Sequence, residues 1–272
     1  MRVAVIGVGL IGGSLGMAAR ERLGAHVSGW DLDPSALTQA RARGAIDDGA
    51  RSIGDAVGDA DAVFVAAPVD ALPDLVAAVL AAAPSGGVVS DAGSTKRSVV
   101  EAVSDPRFVG GHPLAGAETS GIDQARGDLF DASTWYLTPG PMTAPATTTR
   151  VGELLAGFGA EVSVVDAAVH DRLMAAVSHL PHIFANVLVS HLAAVDARVA
   201  LGPSFRDATR VAGSNPAVWS AIYMDNRDEL VRAIDDAVAR LSDVRDKLDR
   251  ADLDAVVHWC EQVSEQRDRI GR

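Results

Sequence analysis

Cysteine is nearly absent from this sequence, since Cys260 is the single one among 272 residues. One cysteine excludes an internal disulfide, and it excludes zinc sites that need several cysteine ligands. The chain therefore suits a reducing compartment, and we predict that it holds no metal.

Lysine is almost as rare: only Lys96 and Lys247 occur, and the formal net charge is −12 at pH 7. A nucleic-acid surface needs clustered Lys and Arg to neutralise phosphates, and the sequence has no such cluster. We therefore predict no nucleic-acid partner. An anionic ligand would have to meet cations placed locally at its site.

Long hydrophobic runs are missing as well. Residues 75–83 form one of the longest apolar stretches, which is far shorter than the ~20 residues that cross a membrane. Residues 1–12 have the pattern of a strand and a turn rather than of a signal peptide. We expect a cytoplasmic protein that does not associate with a membrane.

The dominant pattern up to residue 166 is an alternation of short β-branched or apolar runs with longer Ala/Leu-rich stretches. This alternation is typical of a mostly parallel sheet covered by helices. From residue 167 onward the apolar residues recur at helical spacing and indicate no strand. We predict an α/β domain over residues 1–166, with a loop at the Pro- and Thr-rich residues 141–149, and an all-α domain over residues 167–272.

Apolar stripes on the helices of the second domain require a covering partner. A domain of roughly 100 residues would leave part of such stripes exposed if it were monomeric. We therefore predict a homodimer formed through residues 167–272. One stripe consists of Leu230, Ile234, Val238, Leu241, Val244 and Leu248.

A Gly-x-Gly-x-x-Gly pattern at residues 7–12 follows the first strand and opens a helix. Such glycines permit a tight turn, close approach of a pyrophosphate and close helix–strand packing. The pattern alone also fits a flexible turn, but Asp31 ends the next strand at about the ~20-residue spacing of a ribose-binding acid. The carboxylate disfavours a 2′-phosphate, so the first domain is predicted to be of the Rossmann type and to bind NAD. The predicted cofactor-binding residues are Gly7, Gly9, Leu10, Ile11, Gly12, Asp31 and Pro68.

His112 stands between Gly-Gly and Pro just after a predicted strand at residues 108–110. We expect it in a loop at the carboxyl edge of the sheet, where open α/β sheets bind ligands. A neutral imidazole there can take a proton from an alcohol while hydride leaves the same carbon. The alternative is a loop histidine that is hydrogen-bonded to backbone.

Ser94 and Lys96 follow the preceding strand and should lie at the same edge. Ser94 could orient His112 or a substrate hydroxyl. Alternatively, Ser94 or Thr95 caps a helix, since hydroxyl side chains favour N-cap positions. Lys96 is either part of this site or a solvated residue in the first turn of the helix.

A third group of polar residues lies in the helical half. His179 and His182 are three residues apart, which places them on one face of a helix. No third metal ligand lies nearby in the sequence, so we favour a substrate-binding pair over a metal site. The alternative is that the two histidines pack in the core or cap a helix. Arg210 could hold a carboxylate and Trp219 could wall the site. Equally, Arg210 could pair with Asp207 and Trp219 could belong to the core.

Together these motifs resemble the prephenate dehydrogenase family of tyrosine biosynthesis, in order and in rough spacing, over residues 1–225. The matching blocks are Gly7-x-Gly9-Leu10-Ile11-Gly12-Gly13-Ser14, Asp91-x-Gly93-Ser94-x-Lys96, Gly110-Gly111-His112-Pro113-Leu114-Ala115-Gly116, Glu118-x-Ser120-Gly121, His170-Asp171, Ser178-His179-Leu180-Pro181-His182 and Arg210-x-x-x-Ser214-x-Pro216-x-x-Trp219.

The resemblance implies a Rossmann domain, a helical dimerisation domain and an active site between them. It also implies NAD-dependent oxidation of prephenate with loss of carbon dioxide, giving 4-hydroxyphenylpyruvate. His112 matches the catalytic histidine and Ser94 the serine beside it. His182 and Arg210 match substrate-binding positions, and we predict that Glu118 pairs with Arg210.

Three alternatives remain open on the sequence alone. An arogenate dehydrogenase of the same family acts on a substrate with an amino group in place of the keto group. A β-hydroxyacid dehydrogenase has a similar domain plan, but its expected substrate-domain features are not evident in this sequence, whereas the Ser-His-Leu-Pro-His block is. A non-catalytic NAD-sensing module would not need the set formed by Ser94, His112 and Arg210.

Overall fold

The computed structural model describes residues 1–116, 121–195 and 201–270. The strands in these ranges are β1 (Arg2–Ile6), β2 (His26–Trp30), β3 (Asp48–Gly49), β4 (Ala62–Val65), β5 (Val88–Asp91), β6 (Phe108–Pro113), β7 (Thr134–Thr138) and β8 (Glu161–Val164). The α-helices are α1 (Leu10–Leu23), α2 (Pro34–Ala42), α3 (Ile53–Val57), α4 (Leu72–Ala82), α5 (Arg97–Ala102), α6 (Pro145–Gly157), α7 (Ala167–Met174), α8 (Leu180–Ala194), α9 (Pro203–Thr209), α10 (Pro216–Asp225), α11 (Arg227–Asp249) and α12 (Leu253–Ile270). A π-helical turn, Ala175–His179, joins α7 to α8.

The strands form one sheet in the order β3-β2-β1-β4-β5-β6-β7-β8. All neighbouring strands are parallel except β6 and β7, which are antiparallel. The strand order reverses at β1, which lies between β2 and β4. Open α/β sheets bind ligands outside the carboxyl ends of the strands at such a reversal. The α/β prediction and the predicted helical second half are both confirmed.

Alternate residues of the central strands build the core on both faces of the sheet. On β1, Val3 and Val5 join one buried cluster, while Ala4 and Ile6 join the cluster on the other face. This division follows from the two-residue period of a strand. Because both faces are covered, the strand is continuously apolar, as the sequence pattern indicated.

Two boundaries differ from the prediction. Strand β6 continues to Pro113 because it pairs with β7, which places His112 opposite Tyr136 in a strand and not in a loop. The predicted loop at residues 141–149 is wrong in its second half, since α6 begins at Pro145. Proline suits a first helical turn, where its missing N–H costs no hydrogen bond.

The described chain divides into two compact units, Met1–Arg227 and Asp228–Arg272. The first contains the sheet and α1 to α10, and the second contains most of α11 and all of α12. Within the first unit, the continuous helix from Ala167 to Ala194 is long and apolar enough to cross a membrane by length and composition, with a mean hydropathy of 1.4 over 18 residues. No unbroken apolar run marks this helix in the sequence because polar residues interrupt it, and several of these residues are buried in the protein.

Candidate active site

The Gly-rich turn between β1 and α1 forms a cradle that is closed at two glycines and open at the third. Gly7 has a φ of +89°, and a side chain there would overlap the carbonyl of Ala66. A side chain at Gly12 would overlap the carbonyl of Gly7. At Gly9, however, an added Cβ would meet no protein atom within 4 Å. The backbone at Gly9 is therefore open to a ligand.

Helix α1 begins directly after this cradle. Its N-cap is Gly9, no side chain caps it, and no acidic residue lies in its first turn. The first N–H groups of a helix attract anions, because they lack intrahelical partners and lie at the positive end of the helix dipole. Leu10 and Ile11 supply this turn. The arrangement fits a pyrophosphate.

Asp31 lies immediately after β2, beside the cradle. Its two carboxylate oxygens accept hydrogen bonds from the backbone N–H groups of Val8 and Asp33, both at 2.9 Å. Each oxygen keeps a second lone pair that a ribose hydroxyl can use. Gly7, Asp31 and Pro68 line one cavity of about 420 Å³. The cradle, the helix start and this carboxylate together suit the adenosine end of a dinucleotide.

A hydrogen-bonded row of three side chains lies at the carboxyl edge of β6. His112 Nδ1 is 2.9 Å from His170 Nε2, and His170 Nδ1 is 2.8 Å from Asp171 Oδ1. His170 and Asp171 are buried, whereas His112 keeps part of its surface accessible. The structure therefore supports neither of the expected partners of His112: its ring bonds to His170 and not to Ser94 or to backbone.

Asp171 also caps helix α5 from another part of the chain. Its carboxylate accepts the backbone N–H groups of Lys96 at 2.8 Å and Arg97 at 2.9 Å. Burial opposes ionisation of Asp171, but the hydrogen bonds from His170 and from these two amides hold its pKa below the ordinary value. Capping of α5 by the hydroxyl of Ser94 or Thr95, the alternative considered from the sequence, does not occur.

Lys96 is fully buried and forms an ion pair with the buried carboxylate of Asp91. The solvated first-turn position for Lys96 is therefore wrong. Asp91 also accepts the backbone N–H groups of Gly93 at 2.8 Å and Gly111 at 3.0 Å. The pair thus ties the loop after β5 to the strand that carries His112. Asp91 is needed there because a buried ammonium without a partner is strongly destabilising.

The surroundings of His112 favour its neutral form. Burial lowers its pKa well below the ordinary value, and the nearby His170, Lys96 and His179 add to the effect. A neutral imidazole has one bare ring nitrogen, which can accept a proton near neutral pH.

His179 and His182 both contact Trp219. The His182 ring stacks on the indole at 3.6 Å between centroids and 2° between planes, and the His179 ring meets it edge-on at 6.2 Å. His182 Nδ1 hydrogen-bonds to the Tyr223 hydroxyl and lies 3.1 Å from Asn186 Nδ2. Within the described residues, His182 Nε2 is buried and has no hydrogen-bond partner.

His179 is buried slightly more deeply than His182. Burial lowers the pKa of His179 to about 4. Its Nδ1 lies 3.2 Å from Asn226 Nδ2, and the same amide donates to the carbonyl of Asp171 at 2.7 Å. Trp219 is half-buried against the core, and its ring also stacks on His182.

For the remaining predicted site residues, the structure gives few contacts or none. Arg210 is exposed and begins the 3₁₀ turn Arg210–Gly213, which packs against α8. The Ser94 hydroxyl is partly exposed in the loop after β5 and makes no hydrogen bond to any described residue. Glu118 lies outside the described residues. In the part of the chain that the structure describes, no three His, Cys, Asp or Glu residues form a metal-binding group.

Comparison with known families gives a consistent result along the chain. The model of the prephenate dehydrogenase nucleotide-binding domain matches residues 15–164, and that of the prephenate dehydrogenase dimerization domain matches residues 166–262. The chain belongs to the prephenate dehydrogenase family.

Individual relatives agree with this assignment. Prephenate dehydrogenase of Bacillus subtilis is 32% identical over 98% of this chain and 76% of its own length. The crystal structure of A. aeolicus prephenate dehydrogenase with hydroxyphenyl propionate and NAD+ has a TM-score of 0.92 at 29% identity, covering 99% of this chain and 98% of that one. Synechocystis arogenate dehydrogenase has a TM-score of 0.85 at 25% identity, covering 99% of this chain and 100% of that one.

Proposed function

We propose that the protein is an NAD-dependent prephenate dehydrogenase that converts prephenate to 4-hydroxyphenylpyruvate and carbon dioxide. The observation that carries the proposal is the position of His112. It is a neutral, partly accessible histidine at the carboxyl edge of the sheet, in a chain whose two halves both match this family. The catalytic residues proposed are His112 and Ser94.

The proposed chemistry begins at the ring hydroxyl of the substrate. His112 accepts the hydroxyl proton as the carbon that bears it becomes carbonyl-like, and Ser94 hydrogen-bonds to the same hydroxyl. When bound, NAD would supply the acceptor for the hydride of that carbon. The ring carboxylate then leaves as carbon dioxide, and its electron pair completes the aromatic ring. Gly7, Gly9, Leu10, Ile11, Gly12, Asp31 and Pro68 are the residues proposed to hold the cofactor.

The other end of the substrate is assigned to the helical half. We propose that Arg210 binds a carboxylate and that His179, His182 and Trp219 line the substrate site. His182 is held in place by hydrogen bonds that join its Nδ1 to the Tyr223 hydroxyl and to the Asn186 amide. Glu118 is proposed to pair with Arg210.

Prephenate and arogenate differ in the hydrogen bonding of a single group. A keto oxygen accepts hydrogen bonds, whereas the ammonium group of arogenate only donates them. To test the function, NADH formation from NAD is followed by ultraviolet absorbance with prephenate, arogenate or a simple 3-hydroxy acid. We expect NADH from prephenate, whereas a kcat/KM that is higher for arogenate than for prephenate would favour the arogenate dehydrogenase. No NADH from any of the three would favour the non-catalytic NAD sensor.

Replacing Asp31 by Ala should weaken NAD binding about tenfold and reduce the preference for NAD over NADP. The carboxylate is the predicted partner of the ribose hydroxyls, and its charge repels a 2′-phosphate. Titration of both dinucleotides by fluorescence measures the two dissociation constants, and Asp33→Ala is the matched control two residues away. Unchanged NAD affinity and an unchanged preference in Asp31→Ala would refute the assignment.

The pH dependence follows from the low pKa of His112. A general base acts in its neutral form. Because the pKa of His112 lies well below the ordinary value of 6.5, this histidine stays neutral at pH 6.5. We therefore expect kcat/KM for prephenate to be flat from neutral pH down to 6.5 and to decline only at lower pH. A rate profile that already falls between pH 7.5 and 6.5 would contradict this environment for His112.

We also propose the domain division at residues 166 and 167, a homodimer formed through residues 167–272, and a cytoplasmic location. The dimer is supported by the apolar residues that the continuous helix Ala167–Ala194 leaves exposed, including Val177 at 57% and Val187 at 56%. Several large apolar side chains exposed along one helix are typical of a protein–protein interface. Sedimentation should give about twice the chain mass of 28.1 kDa, and a monomer would overturn the proposal.

A further inference from the structure

We infer that His170 and Asp171 are positioning residues that fix the tautomer of His112, so that Nε2 of His112 is the nitrogen with the bare lone pair. This inference rests on the proposed function, because it assigns how the base of that reaction is prepared. Neither residue is placed in contact with the substrate. The inference follows from which atom donates and which atom accepts in each hydrogen bond of this row.

The row starts at Asp171, which is an acceptor. Its Oδ1 receives the backbone N–H of Lys96 and its Oδ2 receives that of Arg97, at 2.8 and 2.9 Å. An ionised carboxylate has no proton to donate. The 2.8 Å contact from His170 Nδ1 to Asp171 Oδ1 is therefore a hydrogen bond that the histidine donates.

The donor and the acceptor in the hydrogen bond between the two histidine rings follow from this first bond. The proposal gives His170 a single ring proton, on Nδ1, which leaves a bare Nε2 that can only accept. His112 Nδ1, at 2.9 Å from that nitrogen, must be the donor. The proton of neutral His112 is thus on Nδ1, and Nε2 is left to accept the substrate proton.

Packing holds this row in one geometry. His170 and Asp171 are 0% and 1% exposed. The rings of His112 and His170 meet edge to face with centroids at 5.1 Å, and Tyr136 packs edge-on against His170 at 5.5 Å. The carbonyl of Asp171 is held by the Asn226 amide.

The tautomer matters because an unrestrained histidine prefers its proton on Nε2. Without the row, the nitrogen offered to the substrate would carry a proton in most molecules and could not act as a base. In the Ser-His-Asp triad of serine proteases, a change that imposes the wrong tautomer lowers kcat about 10⁴-fold. The effect here should be smaller, since removing His170 frees the tautomer and does not force the wrong one.

Two substitutions at His170 separate positioning from packing. Phe keeps the ring but removes both nitrogens, whereas Gln loses the ring and places an amide oxygen near the former Nε2, where it can accept from His112 Nδ1. We expect His170→Phe to lower kcat at least about tenfold with KM for NAD unchanged, and His170→Gln to stay within roughly threefold of wild type. A residue that only fills space would give the opposite order, with Phe the more active variant.

The tautomer itself can be observed without turnover. Ring-¹⁵N histidine labelling and NMR distinguish a protonated from a bare ring nitrogen, and the His112 signals are assigned as those missing from His112→Asn. We expect a protonated Nδ1 and a bare Nε2 in wild type and in His170→Gln, and a mixture in His170→Phe. A proton on Nε2 of His112 in the wild type, or on both nitrogens of His170, would overturn the inference. Failure to form NADH would overturn the proposed function and leave this readout unaffected.

Discussion

Replacing His112 by Asn should lower kcat for prephenate at least about a hundredfold while the dissociation constant for NAD stays unchanged. Asn has no basic nitrogen, so the hydroxyl proton would have to leave without an acceptor. The cofactor cradle lies on the turn after β1 and does not include His112. Stopped-flow measurement of the hydride step, together with NAD titration, gives both quantities.

The matched control is His26→Asn. His26 begins β2, at the opposite end of the strands from the proposed site, and it hydrogen-bonds to Asp48 near the surface. This variant should retain full turnover. If His112→Asn kept near-normal turnover, the proposed base would be wrong, whatever residue His112 contacts.

Replacing Gly9 by Ala should weaken NAD binding about a hundredfold without destabilising the fold. An added methyl group at Gly9 meets no protein atom within 4 Å, so the apo protein can accept it. The same methyl group would project into the space where the pyrophosphate must approach the backbone. The dissociation constant for NAD and the melting temperature of the apo protein are the two measurements.

Gly86→Ala is the control for Gly9→Ala. An added methyl group at Gly86 would also meet no protein atom within 4 Å, but Gly86 lies in the turn before β5, which is not a predicted contact of the cofactor. We expect this variant to bind NAD normally. Equal NAD affinity in Gly9→Ala and wild type would show that the open side of the cradle is not the phosphate site.

The cofactor half of the site could be predicted from sequence because its parts are close along the chain. The glycines at positions 7–12 and Asp31 belong to one β-α-β unit, whose strand and helix periods are both clear. The roles of Gly7 and Gly12 depend on contacts with neighbouring backbone that this motif always brings together. Local pattern was therefore sufficient to define the shape of the cradle.

The row behind His112 could not be predicted in this way. It joins His112 to a residue 58 positions away through a helix that lies against α5. The adjacent His170 and Asp171 were visible as a motif, but nothing local indicates that one bonds to His112 while the other caps α5. The sequence does not indicate the burial of Lys96 either, although its partner Asp91 is only five residues away, because burial depends on distant elements such as α7, whose Asp171 accepts the Lys96 N–H.

The placement of His112 itself shows how pairing changes a prediction. Two glycines and a proline around it suggested a loop, because these residues are frequent in turns. The antiparallel neighbour β7 instead extends the strand to Pro113. Gly111 is required there because a side chain would overlap the carbonyl of Asp91. The glycines thus serve close packing between strands rather than a turn.

The most direct test of the proposed function is the stoichiometry of the reaction with prephenate and excess NAD. NADH is measured by absorbance, and the aromatic products are separated by chromatography. The proposed reaction predicts one 4-hydroxyphenylpyruvate for each NADH, and no aromatic product above the uncatalysed background when NAD is omitted. Phenylpyruvate formed without NADH, or NADH formed without 4-hydroxyphenylpyruvate, would contradict it.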